Sequence, residues 1–495
     1  MIYLDIYNAF ISIIDLHLLL IIISSTFGGM VIGALPGLTT TMGVALMLPI
    51  AFRLPSLKGV SCMISLYCAS TFGGSISAIL INTPGTPAAA ATALDGNPMA
   101  RKGEAGRALG LALFCSFIGG LVSTLLLSFL APSISRFALK FGPPEYCALA
   151  IFGLTMTAYV SGASLLKGLI AASIGILLAT TGLDPIYGVP RLTFGSTYLL
   201  GEIGFIPVLI GVFAIPEIFS KMFDQSVIDE IQTKISRVHI PLREIFRNKG
   251  LVIRSALIGV FVGAVPATGP DIAAFAAYGV AKQTSSKPDE FGKGNPEGVI
   301  AAESANNGCT GGALITGLSI GVPGDAAVAI IMGALMMQGL APGPLLFQRN
   351  AELMYAIFIS MFFTQFIMLG AGYIGTSIFI RCLRVPKHIL YPTVLVFCVI
   401  GSYSVSGKSQ DVIFMFIIGF IWFLLSKIGF PSAPVCLGLI LGPILELNLR
   451  QTILIYGYKA FTIPFHNVVV SFVFVLMIVL MVLPRWLGLL KSKTE

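Results

Sequence analysis

Four short segments combine a proline break with glycine, hydroxyl or acidic side chains inside otherwise apolar sequence. They are Leu35-Pro36-Gly37-Leu38-Thr39-Thr40-Thr41, Asn82-Thr83-Pro84-Gly85-Thr86-Pro87, Val265-Pro266-Ala267-Thr268-Gly269-Pro270-Asp271 and Gly321-Val322-Pro323-Gly324-Asp325. A proline inside a helix removes an amide donor and frees a carbonyl, so each segment is read as the end of one helix and the start of another. The first N–H groups of a new helix have no intrahelical partner and carry positive dipole character, which suits an anion without any Lys or Arg. The candidate substrate-binding set is therefore Pro36, Gly37, Thr39, Thr40, Asn82, Thr83, Pro84, Gly85, Thr86, Thr268, Gly269, Pro323 and Gly324.

A second group of residues suits a cation. Asp271, Glu303 and Asp325 fall in or beside the later pair of breaks, with Ser304, Asn306, Asn307 and Thr310 adding neutral oxygens. Carboxylates inside an apolar layer are costly and usually functional, so Asp271, Glu303, Asn306, Asn307 and Asp325 are candidates for Na⁺ coordination or proton carriage. The plainer reading makes Asp271 and Asp325 helix caps and puts Glu303 at a loop edge. One rival motif, Gly317-Leu318-Ser319-Ile320-Gly321, matches GxSxG. The four His residues, His17, His239, His388 and His466, lie in connectors or near segment ends, so Ser319 has no evident base for serine-protease chemistry.

The elements that must hold these residues are membrane helices. Of 495 residues 56% are hydrophobic and 11% charged, with a net charge of +8. Mean hydropathy is +0.93, which excludes a soluble enzyme and a disordered chain. The basic residues sit between apolar runs rather than in a stripe with interleaved aromatics, so nucleic acid is not an expected partner. Eight Cys are scattered without a CxxC pair, indicating neither a disulfide framework nor a zinc site. No Lys or Arg precedes the apolar run starting at Leu16, which is read as a retained span. The expectation is an all-α polytopic protein with about 10–12 transmembrane helices, plus re-entrant half-helices.

The pattern restarts midway. Gly29, Gly33 and Pro36 align with Gly259, Gly263 and Pro266 at an offset of 230, and Gly73 and Pro84-Gly85 align with Gly312 and Pro323-Gly324 at 239. The extra nine residues fall in the polar stretch Lys282–Pro296, read as a surface loop. The expected organisation is repeat 1 over 1–222 (breaks within 28–95), a basic cytoplasmic connector over 223–249, and repeat 2 over 250–495 (breaks within 255–345). An acidic N-terminus outside and a basic connector inside require an odd number of crossings, hence inverted-topology repeats, with the C-terminus inside beside Lys491 and Lys493. Arg101-Lys102-Gly103-Glu104-Ala105-Gly106-Arg107 is read as a solvated connector.

At these motifs the sequence resembles the large membrane subunit, TctA, of the tripartite tricarboxylate transporters. The resemblance rests on Gly33-Ala34-Leu35-Pro36-Gly37-Leu38, Ser70-Thr71-Phe72-Gly73-Gly74-Ser75, Asn82-Thr83-Pro84-Gly85-Thr86-Pro87, Asp95-Gly96-Asn97-Pro98-Met99, Gly321-Val322-Pro323-Gly324-Asp325 and Gly339-Leu340-Ala341-Pro342-Gly343-Pro344. It implies a secondary transporter of a bacterial or archaeal cytoplasmic membrane, without a cofactor, importing an organic tri- or dicarboxylate on a Na⁺ or H⁺ gradient. It implies as partners a small membrane subunit (TctB-like) and a periplasmic solute-binding protein (TctC-like), with membrane lipid around them and a homo-oligomer left open. The expected mechanism brings the broken segments of both halves together as a mobile unit working against a scaffold. The alternative is an uncoupled anion channel, or an intramembrane protease using Ser319, which Ser319→Ala would inactivate while sparing transport.

Overall fold

A computed structural model describes residues 2–161, 164–201, 203–222, 238–383 and 385–491. Residues 223–237 of the expected connector, and Lys493 near the C-terminus, lie outside the described residues. Of the described residues 82% are helical, as they must be where no water is available to satisfy backbone groups. The helices in the earlier part are α1 (Ile2–Ile13), α2 (Leu16–Ala34), α3 (Thr40–Arg53), α4 (Ser56–Ile81), α5 (Ala89–Met99), α6 (Ala105–Ala138), α7 (Pro143–Val160), α8 (Leu165–Ala179), α9 (Thr197–Leu200) and α10 (Phe205–Met222). There follow α11 (Leu242–Arg247), α12 (Lys249–Ala264), α13 (Gly269–Thr284), α14 (Pro296–Ile320), α15 (Ala326–Met337) and α16 (Pro344–Arg349). The last are α17 (Ala351–Cys382), α18 (Lys387–Ser406), α19 (Ser409–Lys427), α20 (Ala433–Tyr456), α21 (Ile463–His466) and α22 (Val468–Lys491).

Among the described residues, eight helical stretches are long and apolar enough to cross a membrane, and four shorter apolar helices accompany them. The longest, Ala89–Ala138, joins α5 to α6 through a single wide turn at Ala100–Glu104, where Gly103 takes φ +86°. The basic segment read as a connector is therefore this turn, with Arg101, Lys102 and Gly103 exposed. On α19, Ile413, Ile417, Phe420, Ile421 and Leu424 are all exposed, an apolar surface suited to lipid rather than water.

The chain forms two compact units, Met1–Ser135 with Ile206–Phe423, and Arg136–Phe205 with Leu424–Glu495. All four breaks lie in the first. There, α2–α5 and α12–α15 repeat the same close backbone approaches. A Cβ on Gly29 or Gly33 would lie 2.5 or 2.1 Å from the carbonyl oxygens of Leu66 and Ser70 on α4. The equivalents Gly259 and Gly263 stand 2.3 and 2.5 Å from those of Ala305 and Cys309 on α14. Only glycine permits such backbone approach. Both α4 and α14 end in a left-handed residue, Asn82 (φ +54°) and Gly321 (φ +87°). Gly85 and Gly324 then donate their N–H groups to the carbonyls of Gly74 and Ala313, at 3.2 and 3.3 Å.

Equivalent helices α4 and α14 lie side by side. Ser75 bonds Glu303, Thr71 bonds Asn306 and Cys68 bonds Asn307, so residue numbers fall on one helix as they rise on the other. The second set of four helices is thus turned over relative to the first, the inverted repeat that the charges lead one to expect.

The second unit contains α7–α9, α20–α22 and a short antiparallel hairpin, β1 (Gly182–Leu183) with β2 (Pro190–Arg191), which the sequence reading did not anticipate. Asp184 folds its turn, accepting the N–H groups of Ile186 and Tyr187 at 2.8 and 2.9 Å. Its carboxylate also pairs with Arg450 at 2.9 Å and Arg191 at 3.4 Å, and Glu446 pairs with both arginines. The Tyr187 amide first, then the Ile186 amide and Arg450, hold the Asp184 carboxyl down to about 2. A depressed folded value contributes stability above the ordinary carboxyl range that is lost as pH falls towards about 2. Asp184→Asn is accordingly expected to lower the melting temperature at pH 7, with the gap to the wild type closing as pH falls from 5 to 2.

Candidate substrate and ion site

Each break is shaped by its own sequence. After α2 the chain turns at Leu35–Leu38, with Gly37 at φ +90°, and Thr39 caps α3 by accepting the Met42 N–H at 3.2 Å. After α4, Gly85 packs so tightly that a Cβ there would lie 1.9 Å from the Gly33 carbonyl oxygen. The second break of the first half therefore packs on the last turn of α2, where the first break begins. The second half repeats this, with Gly324 set 2.1 Å by the same measure from the Gly263 carbonyl oxygen.

Across the halves the breaks do not meet directly. Along α4 the first pair stands beside Ser70–Gly74, and along α14 the second stands beside Cys309–Ala313, on opposite sides of the Cys68–Asn307 crossing. Eight residues of helical rise separate the two levels, about 12 Å. The antiparallel pairing itself causes this, because equivalent points on two opposed helices fall equally far from the crossing, in opposite directions.

The candidate residues divide by environment. Pro36, Gly37, Thr39, Thr40 and Pro84 are half-buried, Gly85 and Thr86 buried, and Asn82 and Thr83 exposed at the loop surface. Thr83 turns its hydroxyl back to the Ile81 carbonyl at 3.3 Å. Thr86 is 4% exposed, and its Oγ1 has no hydrogen-bond partner among the described residues. It lies just ahead of α5, whose start carries no acidic residue.

The equivalent helix starts in the second half are already occupied by carboxylates. Asp325, at the position matching Thr86, caps α15 by accepting the Val328 N–H at 2.8 Å and also receives the Tyr67 hydroxyl at 2.5 Å. Asp271 sits half-buried in the first turn of α13. Thr268 turns its hydroxyl back to the carbonyls of Val262 and Val265. Gly269, Pro323 and Gly324 are buried. A carboxylate at a helix start offsets the dipole that an external anion would use. Room for a negative ligand is therefore greater at the neutral starts of α3 and α5.

Glu303 is in mid-helix and fully buried, not at a loop edge. It accepts hydroxyls from three helices: Ser75 of α4, Thr92 of α5 and, at 2.7 Å, Ser116 of α6. Asn306 and Asn307 are buried on the same face of α14, donating to the Thr71 and Cys68 carbonyls at 3.4 and 3.1 Å. Ser319 is also inside α14, its hydroxyl bonded to the Ile315 carbonyl, and not on the strand-to-helix turn of a nucleophile elbow.

Several residues here escaped sequence reasoning. Lys221, two residues ahead of the expected connector, lies in the last turn of α10, and its Cγ and Cε lie 3.5 and 3.7 Å from where a Cβ on Gly37 would be. The Tyr391 hydroxyl flanks the same point at 2.7 Å. A single cation between an apolar run and a basic stretch reads as a flank, so no linear signal separates it. Asp95 is buried, and accepts the Tyr278 hydroxyl and the N–H groups of Gly292, Gly294 and Asn295 at 2.8–2.9 Å. Asp95→Ala would leave the buried Tyr278 hydroxyl and Asn295 amide without this partner, at about 1–3 kcal/mol each, and release the loop amides of Gly292 and Gly294. A sharply lowered melting temperature is expected, and a much smaller loss for Tyr278→Phe.

Opposed sets of broken helices, with a buried carboxylate among hydroxyls, belong to an all-α polytopic membrane protein. The sequence model of the Tripartite tricarboxylate transporter TctA family matches residues 19–437, and the chain belongs to that family. It is 37% identical over 427 residues to the "Uncharacterized 52.8 kDa protein in TAR-I ttuC' 3'region" of Agrobacterium vitis, covering 86% of this chain and 85% of that protein. A second Agrobacterium vitis protein, "Uncharacterized protein in TAR-II ttuC' 3'region", is 34% identical over 197 residues, 40% of this chain and 81% of that protein. No solved structure matches the chain.

Proposed function

We propose that this chain is the carrier subunit of a tripartite system that imports an organic tri- or dicarboxylate through a bacterial or archaeal cytoplasmic membrane. Its partners are a TctB-like small membrane subunit and a TctC-like periplasmic protein that delivers the ligand, and a Na⁺ or H⁺ gradient drives uptake. The observation that carries this reading is the first-half pair of breaks. Two acid-free helix starts present Thr39 and the Thr86 hydroxyl, which has no hydrogen-bond partner among the described residues, with Lys221 beside Gly37. Amide dipoles, hydroxyls and one ammonium together suit a carboxylate.

In this reading residues 1–222 and 250–495 are the two repeats, 223–249 is their cytoplasmic connector, and the N-terminus lies outside. The two inverted sets of four helices, α2–α5 and α12–α15, carry the ligand, and the coupling ion binds among Asp271, Glu303, Asn306, Asn307 and Asp325. Proteoliposomes containing both membrane subunits, given the binding protein and radiolabelled di- and tricarboxylates including citrate, test it. Accumulation above the external concentration, dependent on an imposed cation gradient, is the expected result. Equilibration without accumulation would instead favour the channel.

A further inference from the structure

We propose that a single dehydrated monovalent cation, of the size and hardness of Na⁺, binds between α4 and α14, ligated by Oδ1 of Asn306 and Asn307 and balanced by the Glu303 carboxylate. The inference deepens the transport reading by naming the coupling ion, and rests on that reading for the ion's role though not for its site.

Glu303, Asn306, Asn307 and Thr310 follow the i, i+3, i+4, i+7 spacing of one helix face. That face is turned to α4, where it meets Ser75, Thr71 and Cys68. The two amide groups cannot be reversed. Each Nδ2 faces a backbone carbonyl, which only accepts, so a flipped amide would set oxygen against oxygen. Both Oδ1 atoms are thereby fixed as acceptors, and neither has a hydrogen-bond partner among the described residues, although both side chains are 0% exposed. Buried acceptors left in this condition cost about 1–3 kcal/mol each, which is why native interiors rarely hold them. Nearby, Ser304 on α14 faces the Cys115 thiol, and Gln365 on α17, which packs against Gly120 of α6, faces the Cys68 thiol.

The chemistry of the set selects the occupant. Amide and hydroxyl oxygens are hard ligands suited to alkali and alkaline-earth ions rather than to soft metals. Glu303 contributes a formal charge whose partners, the hydroxyls of Ser75, Thr92 and Ser116 and the Asn306 amide, are neutral, and no salt bridge reaches it among the described residues. One carboxylate with neutral oxygens matches one positive charge. An anion would face acceptors only. A water molecule would satisfy the oxygens and leave the charge unbalanced.

Binding of ²²Na⁺ to the purified chain in detergent, with thermal unfolding in NaCl against choline chloride at equal ionic strength, tests the site. The wild type is expected to bind one ²²Na⁺ per chain and to melt higher in NaCl, saturably. Asn306→Ala with Asn307→Ala should weaken binding at least about tenfold, as loss of charge-assisted contacts does, and Glu303→Gln should abolish the Na⁺-specific stabilisation. Should Glu303→Gln fail to fold, the asparagine variants carry the test. Absence of Na⁺-specific stabilisation in the wild type, or undiminished ²²Na⁺ binding in the asparagine variants, would overturn the proposal. Uptake driven by a pH gradient alone, with no ²²Na⁺ bound, would sink this site and leave the carrier standing. Bound ²²Na⁺ without accumulation under any gradient would support the site and sink the carrier.

Discussion

Lys221→Ala is expected to raise the carboxylate concentration for half-maximal uptake by about 10- to 100-fold, because a charge-assisted hydrogen bond contributes about 1.5–3 kcal/mol. The side chain reaches the break at Gly37 from α10, remote in sequence from the segment it overlies. Its charge stands beside a helix start that lacks an acid, where Thr39 already caps the chain. Lys221→Arg should recover part of the affinity, since the charge remains while the shape of the donor changes. Unaltered half-saturation in the alanine variant, measured in proteoliposomes with the protein folded and inserted, would remove Lys221 from the site. Lys102, which is exposed and bonded to the Lys293 carbonyl, supplies a matched control whose replacement should leave half-saturation unchanged.

Gly85→Ala and Gly324→Ala are expected to destabilise the fold more than most single methyl additions. The new Cβ would stand 1.9 or 2.1 Å from a backbone carbonyl oxygen, and backbone cannot swing aside as a side chain can. Overpacking costs about 1–3 kcal/mol where neighbours yield, and these contacts lie at the severe end. Both variants should lose folded yield or melt several degrees lower, and survivors should lose transport because the second break of that half is pushed off the helix it packs on. Gly279→Ala on α13, where the added carbon meets nothing within 4 Å, is the control and should be neutral or slightly stabilising. Wild-type stability and transport in Gly85→Ala would mean that this close approach is not required.

The repeat was legible because its marks are glycine and proline, which geometry leaves few ways to replace. Gly33 and Gly263, with Gly85 and Gly324, stand where the carbonyl of a neighbouring segment comes too close for any side chain. The opposed direction of the sets α2–α5 and α12–α15 is displayed by α4 running against α14. What the linear sequence concealed was partnership. Ser75, Thr92 and Ser116 are ordinary small residues in apolar helices until three helices bring them to Glu303. Hydroxyls there are as often bonded to their own helix, as Thr26 is to the Ile22 carbonyl, so residue type alone could not identify them. Asp95 was hidden for the same reason, since its partners lie about two hundred positions away. The hairpin at Gly182–Arg191 was missed because two-residue strands carry no periodicity.

The Asp95 carboxylate has a mechanical meaning. It is carried by α5 of one half and grips three amides of the loop leading into α14 of the other. Neither copy can tilt by itself without tearing four hydrogen bonds from a charge that has no water to turn to. The grip ties α5 of one set to the loop ahead of α14 of the other, like a pin through two leaves of a hinge.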